Sequence, residues 1–198
     1  MTTYAAGQPA LFAVIWPASD RASKAARALL LVVVGSLALA VSAKIKVPFY
    51  PVEMTMQTFV VMVLAMAYGW RLGMATVALY LAEGLLGLPV FTGTPERGLG
   101  LAYMLGTTGG YLVGMLVAAG IVGWLAERGF DRNVGSTLVA MMIGTFVIFA
   151  LGLAWLSSLI GFDKAITFGL MPFLYSEALK IALAAVLMPL AWKLMALR

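Results

Sequence analysis

Six stretches of this chain are apolar enough, for long enough, to leave water altogether, and that constrains its fold more than any other feature. A helix needs about 20 largely apolar residues to cross the hydrocarbon core of a bilayer. The 198 residues supply six segments near that length, at 26–43, 57–68, 72–86, 106–126, 136–156 and 171–196, the second of them short. Hydrophobic residues make up 63% of the chain, charged ones 11%, and the mean hydropathy of +1.02 lies far outside the range of soluble globular proteins. The runs are continuous rather than alternating, which disfavours a transmembrane β-barrel. The expected fold is an all-α integral membrane protein, a six-transmembrane-helix bundle forming one domain over residues 26–198. Residues 1–25 are expected to form a cytoplasmic or interfacial segment, since the apolar run at 11–16 is too short to span and no charged n-region marks a secretory signal.

Basic residues set the orientation, because Lys and Arg flanking membrane spans accumulate on the cytoplasmic side. With six spans both termini share a side. Cytoplasmic termini put Arg21, Lys24, Arg27, Arg71, Arg128, Arg132, Lys193 and Arg198 inside, against Lys44, Lys46, Arg97 and Lys164 outside, an eight-to-four split. The net charge of +5 therefore reads as topology in a cytoplasmic membrane and contact with anionic lipid, not as nucleic-acid binding. With no Cys and no His, disulfides, thiolate metal sites and the usual imidazole ligands are excluded. No metal or cofactor is expected. No G-x-x-x-x-G-K-[ST] phosphate loop occurs either.

Against this background Glu83, Glu177 and Lys180 stand out, because each sits within an apolar segment. A charge at the centre of a membrane helix costs about 2.5–3.5 kcal/mol on insertion scales, so such residues face polar cavities or pair with one another. If the last helix starts near Pro172 on the outer side, a rise of about 1.5 Å per residue puts Glu177 and Lys180 roughly 8 and 12 Å below its end. Glu177 and Lys180 share a helix face, as do Tyr80 and Glu83, each pair being three residues apart. An outward-opening pocket fits better than a conduction path, since the inner halves of these helices offer almost no polar groups. A purely structural ion pair at Glu177–Lys180, a proton-linked carrier of a small carboxylate and a membrane enzyme using a Glu-Lys pair are the alternatives. The enzyme is weakened by the missing His and Cys and by the lack of Asp within a span.

The outer connections are unusual. Lys44 to Thr58 reads KIKVPFYPVEMTMQT, in which Pro48 and Pro51 favour a stiff extended loop or a short hairpin able to act as a lid. Residues 87–111 form a second long segment, rich in aromatic and basic side chains with a Gly-rich end. Three motifs, KIKVPFYPVEMTMQTF at 44–59, YLAEGLLGLPVFTGTPERGLGLAYMLGTTGGYLVG at 80–114 and PFLYSEALKIALA at 172–184, resemble the BioY family. Members of that family are the biotin-binding S components of energy-coupling factor (ECF) transporters. The resemblance extends from the first span onward and implies a six-helix bundle with ligand-capping outer loops. It implies capture of biotin from outside and its uptake across the membrane, as the substrate-binding subunit of an ECF-type ABC transporter. Three departures are visible. Glu53 and Thr107 stand where the family pattern carries proline, and Glu177 stands in place of Asp in an Asp-x-x-Lys motif.

Biotin presents two ureido N–H donors, a ureido carbonyl, an apolar fused ring and a carboxylate on an alkyl tail. Glu177 can accept an N–H, and Gln57 or Thr55 can complement the ureido group. Lys180 either donates to the ureido carbonyl or neutralises an acid. Arg97 is favoured over Lys44 and Lys46 for the ligand carboxylate. Phe49, Phe91, Tyr103 and Tyr111 suit the apolar ring, with Tyr80 and Glu83 as further pocket residues. Gly109 and Gly110 either let backbone approach the ligand or start and pack a helix. The resemblance also implies docking, through small residues on the first helix, to a membrane-embedded coupling subunit that works with ATPase subunits. The surface expected for this is Ser36–Ala40, in preference to Ala22–Ala26.

Overall fold

The computed structural model describes residues 9–47, 54–92 and 98–196. Nine α-helices and a two-stranded hairpin make up the regular structure of these residues, apart from one 3-10 turn. A short helix, α1 (Leu11–Ile15), precedes the long α2 (Arg21–Lys44). The start of α2 is fixed by Asp20, whose carboxylate accepts the Ser23 backbone N–H at 3.0 Å, so the helix begins ahead of the expected residue 26. Although α1 is too short to span, it does not stand apart from the bundle. Leu11 is buried, and the Phe12 ring sits edge-on to Tyr68 with centroids 5.0 Å apart.

The proline-containing connection begins and ends as a hairpin. Strands β1 (Lys46–Val47) and β2 (Met54–Thr55) pair antiparallel, with Lys46 opposite Thr55 and Val47 opposite Met54. Phe49, Glu53 and both prolines lie outside the described residues. Next come α3 (Gln57–Tyr68) and α4 (Trp70–Leu85), separated by Gly69 alone. At φ 80°, Gly69 adopts a left-handed conformation closed to most side chains, which ends one helix and starts the next. The remaining helices are α5 (Gly100–Met104), α6 (Gly109–Ala126), α7 (Val134–Ile160), α8 (Phe162–Gly169) and, after a 3-10 turn at Met171–Phe173, α9 (Leu174–Ala196). Asn133 caps α7 through the Ser136 N–H at 2.9 Å.

Each of the six expected apolar segments falls largely on a helix, and the 57–68 boundaries coincide with those of α3. Length separates them, however. Among the described residues four helical stretches are long and apolar enough to cross a membrane: Arg21–Lys44, Gly109–Ala126, Val134–Ile160 and Phe162–Ala196. The apolar α3, at 12 residues, rises only about 18 Å. The bundle centres on α6, which packs along α7 and also meets α3 and α4. Its interior is filled by Met62, Met66, Leu112, Val122, Met141 and Ile148, while most large apolar side chains of α2, α7 and α9 point outward, as lipid-facing helices require.

Candidate functional site

At the hairpin end of the bundle the helices part around a cavity of about 360 Å³, at the small-ligand end of the roughly 300–1,000 Å³ typical of binding pockets. Thr55 of β2, Gln57 and Thr58 at the start of α3, Thr92 and Tyr103 form one side. Thr107, Thr108, Tyr111 and Met115 contribute from α6 and the turn before it, and Ile148, Phe149, Leu156 and Ile160 from α7. The floor and far wall are Phe168, Gly169, Phe173, Glu177 and Lys180. Aromatic and aliphatic surface thus surrounds a small polar cluster.

That cluster is a three-residue network. Glu177 and Lys180 are 4% and 6% exposed, and the Lys180 ammonium donates to Glu177 Oε1 at 2.7 Å. Thr58, brought in from α3, donates its hydroxyl to Glu177 Oε1 at 2.9 Å and accepts from Lys180 Nζ at 3.0 Å. Two desolvated charges would be costly alone, and the ion pair with its bridging hydroxyl offsets that cost. Glu177 also occupies the first turn of α9, where the helix dipole favours a negative charge.

Counting donors and acceptors shows what the network leaves over. An ammonium has three N–H groups, and two are used, so one has no protein partner among the described residues. Glu177 Oε1 accepts from both partners. Oε2 lies 3.2 Å from the Thr58 hydroxyl, whose single proton serves the nearer oxygen. The cluster therefore offers one carboxylate acceptor beside one ammonium donor, complementary to an N–H group next to a carbonyl.

Other expected site residues fall into distinct places. Glu177, Lys180, Gln57, Thr55, Tyr103 and Tyr111 line the cavity. Tyr111 presents its ring, because its hydroxyl donates to the Gly169 carbonyl at 2.8 Å, and the ring stands edge-on to Phe149. Tyr80 and Phe91 sit one layer behind. Tyr80 accepts from Gln57 Nε2 at 2.8 Å, and Phe91 stacks on the back of Tyr103 at 4.9 Å and 17°. Lys44 donates to the Phe91 carbonyl at 2.5 Å, tying the end of α2 to the segment after α4. Arg97 and Phe49 lie outside the described residues.

Three further groups of expected residues lie outside the cavity lining. Glu83 does not join the cavity lining; its Oε1 accepts the Ser36 hydroxyl at 2.9 Å where α4 meets α2. Ser36 is 0% exposed, whereas Ala22 and Ala26 on the same helix are exposed and Ala40 is half-buried. Gly109 and Gly110 serve packing: a Cβ on Gly110 would stand 2.5 Å from the Leu151 carbonyl oxygen, and one on Gly109 would stand 2.0 Å from that of Met104. The residue most clearly missed is Thr58. Its place beside Gln57 in the TMQT run was the available signal, but its partners are on another helix.

A second buried polar group lies towards the opposite end of α9. Asp131, in the loop between α6 and α7, is 1% exposed and accepts from Trp192 Nε1 at 2.6 Å, while Arg132 lies over the Trp192 ring at 4.4 Å. Its other carboxylate oxygen has no hydrogen-bond partner among the described residues. Burial pushes the Asp131 carboxyl above its ordinary value of 3.8, against the smaller opposing effects of the Trp192 bond and Arg132.

This arrangement of helices has a solved counterpart. A solved structure described as the S-component for biotin from an ECF-type ABC transporter superposes with a TM-score of 0.72, covering 89% of this chain and 95% of that one at 24% identity. Residues 17–197 match the BioY family, and the chain belongs to that family. Among its relatives, the probable biotin transporter BioY of Pyrococcus horikoshii is 35% identical over 147 residues, 74% of this chain and 85% of the relative. The biotin transporter BioY of Thermotoga maritima is 34% identical over 150 residues, covering 75% and 86% respectively. That of Rhizobium etli is 35% identical over 160 residues, covering 76% and 83%.

Proposed function

We infer that this protein captures biotin and carries it across the cytoplasmic membrane as the substrate-binding subunit of an ECF-type ABC transporter. Family membership supports a transporter component rather than an enzyme. The single observation that carries the ligand assignment is the buried Glu177–Lys180–Thr58 network, which turns one acceptor and one donor toward an otherwise largely apolar cavity. In this reading Glu177 Oε2 accepts a ureido N–H and the free N–H of Lys180 donates to the ureido carbonyl. The fused ring lies against Tyr111, Phe149 and Ile148. Arg97 meets the tail carboxylate, because Lys44 is engaged with the Phe91 carbonyl.

Six helices, α2, α3, α4, α6, α7 and α9, cross the membrane in this account, with the hairpin and the segment around Phe91 capping the site on the outer side. The excess of Lys and Arg on the opposite face supports cytoplasmic termini. Energy comes from partner ATPase subunits, and the coupling subunit docks on the exposed small residues Ala22 and Ala26 of α2 rather than on buried Ser36. Binding of radiolabelled biotin to the purified chain tests the assignment. Wild-type binding that is lost in both Glu177→Ala and Lys180→Ala supports it. Wild-type affinity in both variants would remove the site from consideration.

A further inference from the structure

The hydrogen bonds behind the cavity carry information that the cavity wall alone does not. Gln57 lines the cavity, yet its side-chain amide has two chemically opposite ends, and which end faces a ligand decides what it recognises. A backbone carbonyl fixes the answer. The Tyr80 hydroxyl lies 3.2 Å from the Val90 carbonyl oxygen, which can only accept, so Tyr80 must donate there. Its one proton is then spent, and toward Gln57, 2.8 Å away, Tyr80 can only accept. The Gln57 atom facing Tyr80 is therefore the NH2 group, and the amide oxygen faces Thr92, whose hydroxyl donates to it at 3.4 Å and which itself lines the cavity.

We propose that Tyr80 is a positioning residue that sets the amide of Gln57 with its oxygen toward the ligand, so that the site selects a ring with two N–H donors flanking a carbonyl. This rests on the biotin reading above. Gln57 Oε1 has a second lone pair beyond the bond from Thr92, and Gln57 adjoins Thr58, which holds Glu177. The cavity wall then carries two acceptors and one donor, Gln57 Oε1, Glu177 Oε2 and Lys180 Nζ, the set of groups that a cyclic urea requires. An amide turned the other way would set an N–H against a ligand N–H. Tyr80 itself is buried and outside the cavity lining, so it acts through Gln57.

Removing the hydroxyl in Tyr80→Phe frees the amide to turn. The measurement is the dissociation constant of biotin and of the two analogues in which one ring N–H is replaced by oxygen, on wild-type protein, Tyr80→Phe, Gln57→Ala and the double variant. Wild type is expected to prefer biotin over both analogues. Tyr80→Phe is expected to weaken biotin about tenfold, the scale of one hydrogen bond, and to narrow the preference over one analogue only, that with oxygen at the Gln57 side. In the Gln57→Ala background the same change is expected to have no further effect. Equal preference ratios in wild type and Tyr80→Phe, or effects that add in the double variant, would overturn the proposal while leaving the biotin assignment intact. If Tyr80→Phe does not fold, Gln57→Ala decides: it must lose the preference over that one analogue, and its retention overturns the proposal. Absence of biotin binding by folded wild-type protein sinks the functional reading and the proposal together.

Discussion

Two buried carboxylates lie against opposite ends of α9, and they are satisfied in different ways. Glu177 shares a cavity wall with a cation and a hydroxyl, whereas Asp131 has an indole donor on one oxygen and, among the described residues, no partner on the other. Along the helix, Glu177 and the indole partner of Asp131 are about 22 Å apart. The first group keeps hydrogen-bonding capacity facing a space that a ligand can fill. The second is outside that cavity, and burial moves its carboxyl toward the neutral form instead. A buried charge in a membrane protein thus marks a binding site when its neighbours stabilise the charge and a cavity adjoins it. Burial by itself marks only a polar clasp.

Four substitutions sharpen this contrast, the first with the largest effect. Lys180→Ala leaves Glu177 as an uncompensated buried charge, a loss of about 3–5 kcal/mol, so biotin affinity should fall at least about a hundredfold in a direct binding assay. Thr58→Val removes a hydroxyl bonded to both charges, worth roughly 1.5–3 kcal/mol, and should weaken binding by one to two orders of magnitude, with Thr58→Ser restoring most of it. At the other end, Trp192→Phe strips the donor from Asp131, and about 1–3 kcal/mol of stability should be lost. Its readout is a lower melting temperature with biotin affinity unchanged; a large affinity loss would erase the distinction between the two ends.

Asp131→Asn should have the smallest effect, and a pH dependence reveals it. Because the folded-state value of Asp131 is raised, its contribution to stability is fully present below the ordinary aspartate value of 3.8 and is lost as pH climbs through the raised value. Melting temperatures measured across that window should decline in wild type, with this decline reduced in Asp131→Asn. An identical decline in both proteins would show that another group titrates there.

Most of the helical architecture was legible in the sequence because lipid imposes one requirement, a continuous apolar stretch, that composition reveals directly. The pairing of Glu177 with Lys180 was legible for a similar reason, since three-residue spacing puts side chains on one helix face. Thr58 was not, because its bond to Glu177 spans 119 positions in the chain and depends on how α3 meets α9. Helix α8 escaped notice as a short apolar piece after Gly161, with no side-chain cap to announce it. Small residues were ambiguous in the same way: Ser36 faces α4 and Gly110 faces α7, and spacing along one helix cannot say which neighbour stands opposite. Phe91 and Tyr103 share an aromatic character in the sequence, and only the fold puts one ring behind the other.

Calorimetric titration of biotin into purified wild-type, Lys180→Ala and Asp131→Asn proteins, side by side, separates the roles of the two ends of α9. Wild type and Asp131→Asn should bind with affinities within about twofold of each other, as expected of a substitution remote from the ligand, while Lys180→Ala loses at least about a hundredfold. Wild-type affinity in folded Lys180→Ala would contradict the account.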